Sequence, residues 1–319
     1  MPPRTPWTVP VAWADLPGRT TLLVVGPDAI AFVDHFTTAA VARLAVGAGT
    51  ESFFADARGQ VIALVNCLRV RDGLWIDGPP GLGAALRDHL EHHHIREAVR
   101  FDDATADRAS LLLAGPDAAE WLAARFLAPT RPLDHLAGDL GGTPVTVMAC
   151  DWFGPGCFLV QTTAAAGPRL ADWLTATGVS WAPPEAAETA RIEAGSPAPE
   201  DIGAKALPQE LGRDERAICL TKGCYLGQET VARIDSLGHV NRRLVTIAVS
   251  APTPPAPGAT VASAGTAVGT MTSTCWSPRL GGPLGIAIVQ TRGLADPASL
   301  TVGGLPARVV PPPAWEPSR

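Results

Sequence analysis

The chain has 319 residues, 46% apolar and 18% charged, a composition that fits a folded globular protein of two or three domains and excludes extended disorder. A net charge of −6 argues against broad, sequence-independent nucleic-acid binding, which needs a cationic face to displace counterions. The six cysteines, Cys67, Cys150, Cys157, Cys219, Cys224 and Cys275, show no Cys-x-x-Cys spacing, so neither a zinc ribbon nor a self-contained cluster site is expected.

Met1 to Pro10 lacks the layout of a signal peptide, and no apolar run approaches the roughly 20 residues that span a bilayer. A soluble, cytoplasmic protein with reduced cysteines and no membrane partner is expected. Thr20 to Val25 reads as a strand, and Pro27 to Leu44 as a helix entered at Gly26 and Asp28. Gln60 to Leu68 and Leu74 to Ile76 read as strands joined by the turn Arg71-Asp72-Gly73, and Gly81 to His92 as a helix. His89, His92, His93 and His94 are better read as a solvated helix end than as a metal site, and Asp102, Asp103 and Asp107 as a surface turn. Ser110 to Leu113, then Gly115-Pro116-Asp117 and a helix to Phe126, repeat the order of Val24 to Val41, which predicts two similar units facing each other across a groove.

Trp152 to Gln161 reads as a strand pair turning at Gly154-Pro155-Gly156, and Arg169 to Thr177 as a helix closed by Gly178. Ser196 to Glu210 is a long loop rich in proline and small residues. From Arg243 onward short strands alternate with proline and glycine clusters, placing a boundary near Asn241, and the tail beyond Pro311 reads as frayed. The fold class is α+β with a β-rich C-terminal part.

The most informative segment is Thr221-Lys222-Gly223-Cys224-Tyr225-Leu226-Gly227-Gln228-Glu229-Thr230-Val231-Ala232-Arg233, which holds one of two lysines and the one tyrosine of the chain. Gly223 and Gly227 permit a tight, close-approach backbone, and Gln228 to Ile234 has helical character. Cys224 then precedes a helix N-terminus, where unpaired backbone donors and the Lys222 ammonium both favour a thiolate. A buried cysteine filling a turn is the equally weighted alternative from physics alone.

That segment resembles the Lys-Gly-Cys-Tyr-x-Gly-Gln-Glu-x-x-x-Arg signature of YgfZ-type folate-binding proteins, relatives of the glycine-cleavage aminomethyltransferases. Arg191-Ile192-Glu193-Ala194-Gly195 and Pro208-Gln209-Glu210 resemble segments shared by both groups, and Gly269 to Ser273, Ser277 to Gly281 and Leu284 to Ala287 resemble their C-terminal barrel. The resemblance implies three domains in a ring around a central folate site. Residues 1–240 would form a body of two intertwined α+β subdomains and residues 241–319 a β-barrel. It also implies a tetrahydrofolate cofactor, with iron–sulfur client proteins or their assembly machinery as partners.

Cys224 and Lys222 would then carry the chemistry, and Glu193, Arg191, Glu210, Tyr225, Gln228, Glu229 and Arg233 would bind the cofactor. Glu193 is the first choice for the pterin edge, whose ring N–H and exocyclic amine one carboxylate accepts together. Arg191 would pair with Glu193 or meet the glutamyl tail, for which Arg233, Arg242 and Arg243 are further candidates. Trp152 and Trp181 are read as core residues before stacking platforms. The aspartate expected after a Gly-x-Val-Ile segment is missing, since Gly59-Gln60-Val61-Ile62 is followed by Ala63 and Leu64, which argues against aminomethyl transfer. Thr37-Thr38-Ala39-Ala40-Val41 also departs from the family's Val-Thr-Asn-Asp-Val helix. The competing functions are a one-carbon transferase or demethylase using Glu193 or Asp34, and a non-catalytic module docking an RNA-modifying partner.

Overall fold

The structure, a computed structural model, describes residues 9–311. One antiparallel sheet has the order Gly49–Ala55, Val61–Val70, Gly73–Gly78, Thr20–Val25, Arg100–Asp103. A second has the order Ser180–Trp181, Ala12–Asp15, Arg108–Ala114, Phe158–Thr163, Thr143–Ala149, His135–Leu140. Six strands from Arg242 to Val309 close into a barrel.

Strand periodicity decides how the sheets stack. Along Arg108–Ala114, Leu112 and Ala114 face inward while Leu111 and Leu113 face helices on the outside. The inward set meets Phe53, Leu64 and Leu68 of the first sheet, together with Trp152 and Ala186, Ala187 and Ala190 of helix Pro184–Glu193. The outer face of the first sheet is covered by Phe32 and Val33 of helix Ala29–Asp34 and by Leu86 and Leu90 of helix Gly83–His93. The result is a helix–sheet–sheet–helix sandwich. The two similar units do face each other, but across a largely filled core, because each sheet buries its apolar face against the other.

Three local expectations are corrected. The helix expected over Pro27 to Leu44 stops at Asp34. There the Thr37 hydroxyl donates to the Val33 carbonyl, the Thr38 hydroxyl donates to the Ala217 carbonyl, and Thr37 pairs with Phe54, so the chain turns into the sheet edge. Trp152 is not in a strand: strand Phe158–Thr163 pairs with Thr143–Ala149, and Asp151–Phe153 is a short 3-10 turn that sends the indole into the core. Trp181, expected in the core, is 56% exposed, on the two-residue edge strand. The loop from Ser196 to Glu210 contains two 3-10 turns, Pro199–Asp201 and Pro208–Leu211, and buries Ala198, Asp201 and Ala206. The readings made on the first eight residues and on the tail beyond Pro311 lie outside the described residues. Among the described residues, no helix is long and apolar enough to cross a membrane.

Candidate functional site

Helix Gln228–Leu237 starts at Gly227, whose φ of +81° lies in the left-handed region. A Cβ there would sit 2.6 Å from the Asp56 carbonyl oxygen and 2.8 Å from the Gly59 Cα, so glycine lets the helix rest directly on the Asp56–Gly59 turn. Gly223 is different: its backbone is not left-handed and open space surrounds it, so the expected close approach belongs to Gly227 alone. The amide of buried Tyr225 donates to Gln228 Oε1 (3.2 Å), and Gln209 Nε2 donates to the Val231 carbonyl (2.8 Å). Glu229 and Arg233 are exposed on the helix.

Ahead of that helix the chain forms a strap fixed to the turn after helix Ala29–Asp34. The Cys219 amide donates to the Thr38 carbonyl (2.9 Å) and the Leu226 amide to the His35 carbonyl (2.8 Å). Lys222 lies between them, buried, with Nζ donating to the carbonyls of Asp34, Thr37 and Ala39 at 2.6, 2.8 and 2.7 Å. Nζ is also 3.2 Å from the Asp34 carboxylate and 5.3 Å from the Tyr225 ring centroid. Burial lowers its pKa, and the Asp34 carboxylate opposes the shift. All three ammonium protons are engaged by backbone, so Lys222 is a structural pin rather than a free cation aimed at the neighbouring sulfur. Cys224 is exposed.

The residues around Glu193 are arranged differently. Arg191 is bound to Glu188 (2.8 Å at Nε), Asp201 (2.7 Å), the Ser196 carbonyl (2.6 Å) and the Ser273 hydroxyl (2.9 Å), so the expected pairing with Glu193 is replaced by an ion network at the seam with the barrel. Glu193 accepts from the Ser277 hydroxyl and the Arg279 amide (3.3 Å), both barrel groups. Glu210 takes the Arg242 guanidinium in a bidentate pair at 3.0 and 2.8 Å, which occupies an arginine expected to be free for a ligand tail.

Between the sheets lies a belt of buried polar groups that the sequence reading did not single out. Arg19 pairs with Asp77 (2.7 Å), which also accepts from Asn66 Nδ2 (3.0 Å) and Gln161 Nε2 (3.3 Å). Arg19 stacks against Trp152 and Phe153, 5.5 and 5.7 Å from their ring centroids. Trp152 Nε1 donates to Glu51 Oε2 (2.9 Å), which also meets Arg213 (3.5 Å) and Arg216 (3.3 Å), while Glu51 Oε1 is buried without a partner among the described residues. Two cavities flank this belt. One, of about 460 Å³, is lined by Arg19, Trp152, Phe153, Glu188 and Arg191. The other, of about 330 Å³, lies between body and barrel beside Gly195, Arg213, Arg216, Leu244 and Val310. The available signal was a polar residue inside an apolar strand: Glu51, Asn66 and Asp77 each interrupt one. Ala63 and Leu64, at the position expected to carry an acid, are buried in the two cores on opposite faces of their strand.

The strap and the Glu193 seam are thus separate features, and the residues lining the body–barrel cleft do not include Cys224. Residues 10–217 match the GCVT N-terminal domain, and residues 242–316 match the glycine cleavage T-protein C-terminal barrel domain. The chain is 26% identical over 303 residues to a chloroplastic protein of Arabidopsis thaliana provisionally named a transferase, covering 92% of this chain and 68% of that one. It is 27% identical over 305 residues to the aminomethyltransferase of Rubrobacter xylanophilus, covering 92% and 80%. Its fold is similar to the crystal structure of glycine cleavage system aminomethyltransferase T from Bartonella henselae, with a TM-score of 0.83 at 18% identity over 97% of this chain and 88% of that one. With both domains matched in order, the chain belongs to the glycine cleavage T-protein family.

Proposed function

We propose that this chain is a YgfZ-type member of the family: it binds tetrahydrofolate and uses Cys224 as an exposed working thiol in assembling or repairing iron–sulfur proteins, without transferring aminomethyl groups. The observation that carries the reading is the pairing of an exposed Cys224 on a pinned strap with buried Ala63 and Leu64 where an acid would be needed. Asp34 is a poor substitute acid, because its carboxylate accepts from the Ala42 amide (3.0 Å) and lies beside Lys222. Glu193 is tied to the barrel.

The residues present fit a reduced folate. Glu51 has a carboxylate oxygen, buried without a partner among the described residues, that is suited to the donor edge of a pterin, and Arg213 and Arg216, which line the adjoining cleft, lie 3.5 and 3.3 Å from the same carboxylate and position it. Trp152 and Phe153 offer an aromatic wall in the other cavity. A bound folate would supply one-carbon chemistry, and this chain's residues would hold and orient it. One exposed thiolate does not hold a cluster by itself, so contact with a client is transient.

Isothermal titration with tetrahydrofolate should give a saturable isotherm, weakened about tenfold or more by Glu51→Gln; an undetectable heat with the unmodified chain would remove the folate half of the reading. Cys224→Ala should abolish activation of dependent iron–sulfur enzymes and keep folate affinity. Single-turnover assays with methylene-tetrahydrofolate and amine donors should yield no aminomethyl product, and product at a measurable rate would favour the transferase instead.

A further inference from the structure

The strap carries a second sulfur. Cys219 is half-buried, with Arg43 Nη1 at 3.7 Å and the Thr221 hydroxyl at 3.6 Å from its Sγ. Arg43 is held in place by the same strap, its Nη2 donating to the Thr221 carbonyl (2.7 Å). The chain leaves the Thr38–His35 turn at Cys219 and returns to it at Leu226, so the intervening residues double back around Lys222.

From this geometry we propose that Cys219 and Cys224 form a redox pair: a hydroperoxide oxidises Cys219, and Cys224 resolves it as an intrachain disulfide. The proposal deepens the reading of Cys224 as the working thiol, making the pair's oxidation state the control on that thiol. Partial burial pushes the Cys219 thiol up, but the Thr221 hydrogen bonds and the Arg43 and Lys222 charges outweigh it, leaving a net downward shift. Burial pushes the thiols of Cys67, Cys150 and Cys275 up to about 12 and that of Cys157 upward too, so these four do not compete as thiolates.

The Cys219 thiolate attacks the terminal peroxide oxygen, an S–O bond forms, the O–O bond breaks, and the leaving alkoxide takes a proton and departs as an alcohol. The Cys224 thiolate then attacks the sulfenic sulfur, an S–S bond forms, the S–O bond breaks, and hydroxide takes the proton lost by Cys224 to leave as water. Two thiols and one hydroperoxide give one disulfide, one alcohol and one water, so the sulfurs are oxidised by two electrons and the peroxide is reduced by two.

Trypsin cleaves after Arg216, Lys222 and Arg233, so the two cysteines fall on different peptides and a disulfide appears as a linked pair. The full chain treated with a small excess of hydrogen peroxide, alkylated and digested should give that linked pair, two mass units below the sum of the reduced peptides. In Cys224→Ala, Cys219 should be trapped as a sulfenic acid by a cyclic 1,3-diketone. Arg43→Ala should slow alkylation of Cys219 about tenfold at neutral pH and leave Cys224 unchanged. Two unlinked peptides, or a sulfenic acid on Cys224 alone, would overturn the pair. If they stay unlinked while Cys224→Ala still abolishes client activation, the pair falls and the working-thiol reading survives; linkage with client activity intact in Cys224→Ala has the opposite meaning.

Discussion

From Arg191 to Glu210, the charged motif residues Arg191 and Glu210 and the intervening Asp201 are each buried against an opposite charge. From Cys219 to Cys224, the one buried cation holds backbone carbonyls and leaves Cys224 toward solvent. Both segments resemble family signatures, yet the first consists of groups whose removal unsettles the join between body and barrel, and the second presents a group whose removal costs the fold almost nothing. A motif by itself does not say which of its residues is an anchor and which is a tool. Burial and partner identity do.

The sharpest way to break this contrast is at the seam. Arg191→Ala would leave the Asp201 carboxylate, fully buried, with hydroxyl and amide partners but no cation. A loss of about 3–5 kcal/mol is expected, read as a lower urea midpoint. Next, Lys222→Met would take the ammonium donor from the carbonyls of Asp34, Thr37 and Ala39, of which Ala39 keeps the Val41 amide, at a cost of about 2–4 kcal/mol. Faster hydrogen exchange at the Cys219 and Leu226 amides should accompany it, since the pin would no longer hold the strap. A melting temperature unchanged in Lys222→Met would show that the ammonium is not the pin.

Gly227→Ala tests the helix start. The left-handed backbone and the 2.6 Å approach to the Asp56 carbonyl predict a loss of about 1–3 kcal/mol, while Gly223→Ala should stay within about 0.5 kcal/mol. Acid should act on a different region. Burial, followed by the charges of His93 and His92, lowers the His89 pKa to about 4 from its ordinary 6.5, with Asp56 opposing. A base depressed in the folded state is protonated more readily when unfolded, so this contribution is complete above pH 6.5 and is lost as pH falls toward 4. Melting temperatures at pH 7.5, 5.5 and 4.5 should therefore decline, and His89→Phe should flatten the decline.

Legibility in the sequence followed the range of the interaction. Strand Thr20–Val25, the helix begun at Gln228 and the short strands after Arg242 were readable because periodicity, glycine and proline act within a few residues. The early stop of helix Ala29–Asp34 was not, because Lys222, 183 residues from Ala39, takes the carbonyls of the turn after it. The Arg191 pairing was hidden for a related reason: Ser273 reaches it only through the docking of the barrel, and Asp201, ten residues on, only because the Ser196–Glu210 loop folds back over the helix end. Glu51 and Asp77 left a trace, a charge within an apolar strand, but their partners Trp152, Arg213 and Arg19 lie on other elements.

The smallest structural effect is expected where the functional one is largest. Cys224 is exposed and lies outside the buried apolar clusters, so Cys224→Ala should change stability by no more than about 0.5 kcal/mol. Cys219 is half-buried and in contact with Arg43 and Thr221, so Cys219→Ala should cost somewhat more, about 0.5–1 kcal/mol. If denaturant curves for Cys224→Ala overlay those of the unmodified chain while client activation is lost, the sulfur acts outward. If the curves separate as far as those of Lys222→Met, Cys224 is part of the pin, and the contrast between the strap and the seam disappears.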